Sequence, residues 1–296
     1  MPEGDSIHHT AAALRIALVD KKMVRFDAPQ LIGVVPKAGR TIVRVETVGK
    51  DLAIEWDDGI ILHAHLRRAG FWDLYRKDDI WQRPHREMRA VIETAAWTAV
   101  CFNAPTVETY REPGISRHPW FGRLGPDLSS VDADLDRCVE LLLTYDDRRA
   151  PIGEVLLDQR VFCGLGNVYR SELLWACELH PFAPVGDLSE VLARRIVNVA
   201  ARLLRANLAH VEQVALPGVP GGLGVYGRTG QGCFRCADTV RARHRAGPDR
   251  ILYWCPGCQT RLAPAVPAAL AELPTDQHPA AKAFRAEDAT PWPTAG

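Results

Sequence analysis
The sequence predicts an α+β chain of two lobes: a β-sandwich behind one leading helix, then a helical lobe that closes in a small cysteine ribbon. Three observations predict it. Short β-rich segments separated by turn residues occupy much of the stretch from Thr41 to Phe102, as in a sandwich. Beyond Gly125-Pro126-Asp127 the apolar residues recur at helical spacing instead. Near the C-terminus, Cys233-Phe-Arg-Cys236 and Cys255-Pro-Gly-Cys258 form two C-x₂-C knuckles separated by eighteen residues, a spacing at which a ribbon can bring four thiols together.

The leading helix is expected from about Ser6 to Val19, capped by Asp5 or Ser6, with Ile7, Ala11, Leu14 and Leu18 on one face. Thr41 to Thr47 is β-rich, and Leu52, Ile54 and Trp56 alternate with polar neighbours. Asp58-Gly59 then turns the chain into Ile60-Ile61-Leu62, a hairpin signal. Further strands are expected at Gly70–Tyr75, Met88–Glu93 and Ala99–Phe102. In the second lobe Leu135, Cys138, Leu142 and Tyr145 share a helical face, with Asp132 and Asp134 in its first turn, where the helix dipole favours them. Ser189 opens another helix that buries Leu192, Ile196, Val199 and Leu203. Pro217-Gly-Val-Pro-Gly-Gly222 reads as a mobile linker, and the Pro/Ala-rich residues from Pro264 onward as a disordered tail.

Composition sets the outer bounds. At 296 residues the chain exceeds one ordinary core, and 47% hydrophobic content can fill two. No stretch approaches the ~18 uninterrupted apolar residues of a membrane span, and no basic-then-apolar signal opens the chain, so a cytoplasmic protein is expected. Cys101, Cys138, Cys163 and Cys177 are scattered singly, which suits reduced core residues rather than a disulfide framework. The formal net charge of zero hides an asymmetry. Basic and acidic residues number 18 and 17 in 1–128, 9 and 13 in 129–222, and 2 and 4 in 263–296. In 223–262 they number 7 and 2, a net of +5 confined to the cysteine segment.

Four thiolates at the corners of a tetrahedron are what a structural zinc requires, and four cysteines leave no open position for catalytic water. The competing reading of the cysteines is a redox dithiol pair or chance. Arg241, Arg243 and Arg245 lie between the knuckles at a spacing of two, which on a strand puts all three on one face. A metal-stapled hairpin with such a stripe points to a phosphate backbone as partner.

The opposite end of the chain, Met1-Pro2-Glu3-Gly4-Asp5, offers different chemistry. Trimming of Met1 would expose the secondary amine of Pro2, which can attack an aldehydic carbon and form an iminium. A helix starting within a few residues would oppose protonation of that amine, favouring a neutral nucleophile near pH 7. Taken alone, Met-Pro is more often without meaning.

Read in order, Pro2-Glu3-Gly4, Gly49-Lys50, Gly164-Leu165-Gly166-Asn167-Val168-Tyr169, Tyr226-Gly227-Arg228 and the four-cysteine ribbon carry a specific resemblance. The chain resembles the formamidopyrimidine-DNA glycosylase and endonuclease VIII family over residues 2–262, closer to the endonuclease VIII branch. His118–Asp127, ending Leu-Gly-Pro-Asp, is similar to the segment that joins that family's lobes. The resemblance implies an N-terminal catalytic β-sandwich domain (1–128), a helix–two-turn–helix DNA-binding domain (129–222), a zinc ribbon (223–262) and the tail (263–296).

It further implies a monomeric base-excision-repair enzyme whose partner is damaged DNA, associated with the nucleoid when bound. By this likeness Pro2 attacks the sugar C1′ and displaces an oxidised base, most plausibly a pyrimidine, and Glu3 shuttles protons. Lys50 contacts a phosphate beside the lesion, and β,δ-elimination leaves a gap flanked by phosphates. Asn167, Arg228 and Arg250 are the implied DNA contacts, and Cys233, Cys236, Cys255 and Cys258 the implied ligands of one structural zinc. Three departures stand out. Ser6 replaces a glutamate that helps bind the opened sugar, and Val48 replaces a basic residue. In the loop His65-Leu66-Arg67-Arg68-Ala69-Gly70, Arg68 takes the place of the side chain that fills the hole left by the flipped base; it is either that wedge or a phosphate contact. His63 and His65 alternate on a strand, but with no third ligand evident they are expected to be core or backbone-bonded. Two other functions stay open: an abasic-site lyase with little glycosylase power, and a non-catalytic damaged-DNA-binding protein.

Overall fold
The leading helix is α1 (Gly4–Leu18), and its apolar spacing has the expected result: Ile7, Ala11, Leu14 and Leu18 are all buried. It begins at Gly4, so Asp5 and Ser6 lie inside its first turn instead of capping it; nothing in Gly4-Asp5-Ser6 stops the helix from starting earlier. The computed structural model describes residues 4–48, 51–66, 69–111, 123–208, 213–245 and 250–263. They belong to two compact units, Met1–Asp127 and Leu128–Gly296.

The described residues of unit one form eight strands: β1 (Arg25–Asp27), β2 (Ile42–Val48), β3 (Asp51–Trp56), β4 (Ile60–His65), β5 (Phe71–Arg76), β6 (Met88–Glu93), β7 (Trp97–Phe102) and β8 (Thr106–Arg111). They form two antiparallel four-stranded sheets, ordered β2-β3-β4-β8 and β1-β6-β7-β5. The β3–β4 hairpin turns at Gly59, whose φ of +75° is costly for any residue with a Cβ. Leu52, Ile54, Trp56, Leu62 and Ala64 pack with Ala90, Ile92, Ala99, Cys101 and α1 in the main core. A smaller cluster of Tyr75, Val91, Val100 and Phe102 covers the other face of the second sheet.

Two strands escape the sequence reading. β1 has only three residues, too few for periodicity to register, whereas β8 carries the β-rich Thr106-Val107-Glu108-Thr109-Tyr110 and could have been found. The alternation in β3 also misleads. Asp51 and Ala53, on its supposed polar face, are buried as well.

Unit two contains α2 (Leu135–Leu143), α3 (Ile152–Val155), α4 (Asn167–Ala176) and α5 (Glu190–Asn207), followed by the antiparallel pair β9 (Arg241–Arg245) and β10 (Arg250–Trp254). Asp134 is the cap of α2, accepting from Arg137 N at 2.9 Å, and Asp132 precedes it, one turn earlier than expected. Ser189 caps α5, its Oγ accepting from Leu192 N at 3.2 Å. Leu192, Ile196, Val199 and Leu203 face a core shared with α2, α3 and α4. The Pro/Gly segment folds back on itself rather than running as an open linker: Ala215 N and Leu216 N both donate to Gly222 O at 2.8 Å. The expected tail falls, from residue 264, outside the described residues. No helix among the described residues is long and apolar enough to cross a membrane.

Candidate functional site
The four knuckle cysteines converge as their spacing requires. Each Sγ lies within 4.8 Å of the others, with Cys236–Cys255 at 3.3 Å and Cys233–Cys258 at 3.8 Å, and none is in a disulfide. Local geometry holds them there. A Cβ on Gly257 would stand 2.8 Å from Asp238 Cβ and 3.1 Å from Cys236 Sγ, so the second knuckle needs a residue without one. The buried Gln259 side chain accepts from Cys255 N at 2.7 Å and donates to Leu179 O at 3.1 Å, fastening that knuckle to the helical core.

Cys233 Sγ accepts from Trp175 Nε1 at 3.3 Å and from Arg235 N at 3.4 Å. The thiols of Cys236, Cys255 and Cys258, together with this backbone donor, hold Cys233 well below the ordinary thiol range. Four soft donors, one of them already accepting from the N–H groups of Trp175 and Arg235, fit a tetrahedral metal.

The glycine-rich turn sits at the start of α4. Gly164 adopts φ +95°, and Gln159 braces the turn, donating to Leu165 O and accepting from Gly164 N. Asn167, the first residue of α4, is buried. Its Nδ2 donates to Ile251 O on β10 at 2.7 Å, and its Oδ1 accepts from Arg170, which also donates to Gly153 O at 3.1 Å. The turn and the ribbon are thus joined through Asn167, a structural use that the sequence did not suggest.

Arg228 likewise has a structural use. It is buried, stacks on Phe234 at 3.5 Å, and donates to Gln231 Oε1 and to the carbonyls of Gly224 and Gly232. Its guanidinium therefore holds its own loop together. A neighbour missed from the sequence organises that loop: the buried Glu172 carboxylate accepts from Gly224 N, Val225 N and Tyr226 N at 2.7, 2.9 and 2.8 Å. Burial pushes the Glu172 carboxyl up, while the three N–H donors and Arg228 pull the other way. Its position in Val168-Tyr169-Arg170-Ser171-Glu172, five residues beyond Asn167 on the same helix, was the available signal.

In the ribbon, Arg241, Arg243 and Arg245 occupy alternate positions of β9, and Arg243 lies over the Phe182 ring at 5.2 Å. Arg250 starts β10 opposite Arg245.

Pro2, Glu3, Lys50 and Arg68 lie outside the described residues. Beside them in sequence the structure reveals a polar cluster. Asp51 and His63 are buried, His65 partly so; His65 Nδ1 meets Asp51 Oδ1, and His63 Nδ1 is 2.9 Å from Glu108 Oε1. His63 is buried, as a core histidine would be, but both rings engage carboxylates on adjacent strands instead of backbone, and a third donor that the sequence did not make evident, Asp51, is present. Burial alone would raise the Asp51 carboxyl, yet the bonds from His63 and His65 hold it at about 2. Burial likewise disfavours charge on His63, but Asp51 and Glu108 prevail and raise its pKa.

Comparisons with known proteins agree with this geometry. A family model described as the formamidopyrimidine-DNA glycosylase H2TH domain matches residues 124–215. "Probable endonuclease 8 2" of Streptomyces coelicolor is 37% identical, over 89% of this chain and 96% of its own length. "DNA-(apurinic or apyrimidinic site) lyase Nei2" of Mycolicibacterium smegmatis is 37% identical over 88% and 99%, and "Endonuclease 8" of Escherichia coli 31% over 88% and 100%. Among solved structures, wild-type Lactococcus lactis Fpg (MutM) in complex with DNA containing N7-benzyl-Fapy-dG superposes with a TM-score of 0.74. That match covers 88% of this chain and all of the other at 23% identity, a likeness of fold. With a family-model match over residues 124–215 and relatives aligned over nearly their whole length, the chain belongs to the formamidopyrimidine-DNA glycosylase and endonuclease VIII family.

Proposed function
We propose that this protein is a bifunctional DNA glycosylase and abasic-site lyase of base-excision repair, acting on oxidised bases and chiefly pyrimidines. The observation that carries the reading is agreement along the chain: relatives named endonuclease 8 and DNA-(apurinic or apyrimidinic site) lyase each span 88–89% of it. The geometry is consistent with it, since the glycine turn, Asn167 and the basic ribbon are fastened into one body by direct hydrogen bonds.

In this reading the damaged nucleotide leaves the stack at a cost of a few kcal/mol, less where the base is already mispaired. The Pro2 nitrogen attacks C1′, the bond from C1′ to the base breaks, and Glu3 moves the proton needed for sugar opening. The resulting iminium acidifies C2′–H. Loss of that proton expels the 3′ phosphate, and a second elimination expels the 5′ phosphate. Lys50 holds a phosphate beside the lesion, Arg250 grips the backbone at the ribbon tip, and Arg68 enters the vacated space. Asn167 and Arg228 act on DNA chiefly by holding the turn and its loop in shape.

Zinc is the proposed occupant of the cysteine site. Its four ligands would be Cys233, Cys236, Cys255 and Cys258, and its contribution is to order the hairpin. A monomer acting on DNA in the cytoplasm completes the proposal.

Product analysis tests this function. A duplex with one oxidised pyrimidine should be cut to fragments ending in 3′ and 5′ phosphates. Cleavage of a preformed abasic site with no release of the oxidised base would favour the lyase with little glycosylase power, the reading that Ser6 motivates. For Arg68→Ala, excision that is unchanged opposite all four partner bases would exclude the wedge role.

A further inference from the structure
We infer that Asp51, His63 and His65 form a second metal site, one that takes a late first-row divalent cation of the zinc type. Strand register builds it. His63 and His65 alternate along β4 and therefore share a face. Asp51 lies directly opposite His65 on β3, and Glu108 directly opposite His63 on β8. One donor atom from each of the three proposed ligands lies within 4.8 Å of the others, and His63 Nε2 is 3.7 Å from Asp51 Oδ1. Donors bound at about 2.0–2.2 Å to one tetrahedral ion stand roughly 3.3–3.6 Å apart, so His63 is already close to its place, whereas the short His65–Asp51 hydrogen bond must open to admit the ion.

The supporting shell is already in place. Glu108 Oε1, 2.9 Å from His63 Nδ1, fixes that ring with Nε2 turned to the cluster, the carboxylate–histidine arrangement that orients metal ligands. At His65 a cation would replace the proton that Nδ1 shares with Asp51. Two neutral imidazoles, the Asp51 carboxylate and the Glu108 carboxylate behind it together balance a dication. Two nitrogens and one oxygen suit zinc, cobalt or nickel and not magnesium or calcium, which want oxygen throughout. The His65 side chain is 18% exposed and gives an ion a way in, while Asp51 and His63 are almost fully enclosed. Three protein donors are the number found in sites that keep a fourth position for water or a ligand.

Its place in the chain gives the site a consequence. Asp51 directly follows Lys50, and His65 directly precedes the loop that carries Arg68. An ion there would tie together the strand ends from which both residues depart. The inference does not depend on the proposed reaction, because it is read by counting metal.

The full-length protein, keeping its ribbon metal, is dialysed against buffered micromolar Zn²⁺ and its zinc is counted by elemental analysis. Two zinc per chain are expected, falling to one in Asp51→Asn and in His65→Ala. Glu108→Gln should weaken the second equivalent by about 10–100-fold while leaving the first unchanged. Wild type saturating at one zinc per chain would overturn the site, as would a second equivalent that survives both ligand variants. A measurement on wild type alone guards against misfolded variants. A second equivalent of Co²⁺ should add a d–d absorption with no gain in thiolate-to-metal charge transfer; a gain in that band would place the second ion on cysteine and refute the proposal.

Discussion
Among the described residues each unit buries one carboxylate, and the two are satisfied in opposite ways. Glu172 in unit two accepts from three consecutive backbone N–H groups. Asp51 in unit one meets two histidine rings instead. Backbone donors cannot titrate or leave, so Glu172 fixes the path of Gly224–Tyr226 and, with Arg228, shapes that loop. Histidine donors can lose their protons, so the Asp51 cluster can exchange a proton for a cation. A buried charge answered by the backbone is an architectural device, whereas one answered by titratable side chains keeps chemical options open.

The largest expected effect comes from the part of unit two on which the ribbon depends. Apparent zinc binding in a four-cysteine site is about 10–16 kcal/mol and contributes directly to folding. Cys255→Ser should therefore lose the metal and weaken binding of abasic duplex at least about 100-fold, measured by elemental analysis and fluorescence anisotropy. Normal binding by that variant would show that the ribbon does not depend on its metal.

Glu172→Ala comes next. It orphans three buried N–H groups at about 1–3 kcal/mol each, and the thermal midpoint should fall by about 10 °C or more. A fall of only a degree or two would mean that water replaces the carboxylate and that the contrast with Asp51 is false. Gly257→Ala forces a Cβ to 2.8 Å from Asp238 Cβ. It should lower metal affinity about tenfold, or about 1.4 kcal/mol, in a chelator competition.

An effect of similar size is expected from Asn167→Ala, which removes the bonds to Ile251 O and from Arg170 and costs about 1–2 kcal/mol of stability. Denaturant unfolding measures that cost. Unchanged stability with weakened DNA binding would return Asn167 to a direct phosphate contact.

Much of this was legible in the sequence, for identifiable physical reasons. Helical spacing located α1 and α5 because each buries one continuous apolar stripe, and Ser189 marked the start of α5 because its hydroxyl satisfies an orphan N–H. The cysteine knuckles were legible because a metal demands fixed ligand types at fixed spacing. The His63–Asp51 relation was not. Those residues are twelve apart in the chain, and only the register of β3 on β4 brings them together. Arg228 and Asn167 have structural uses that their motif context did not specify. Motif context assigned them outward roles, yet burial and the demands of nearby carbonyls turn their side chains inward. Position in a motif specifies that a residue matters more readily than it specifies what the side chain touches.

The proposed iminium chemistry at Pro2 is tested most directly by borohydride trapping on a duplex with one abasic site. Wild type should form a covalent protein–DNA adduct that is lost or sharply reduced in Pro2→Gly. Tight binding of the same duplex with no adduct from wild type would contradict it and leave a damaged-DNA-binding protein in its place.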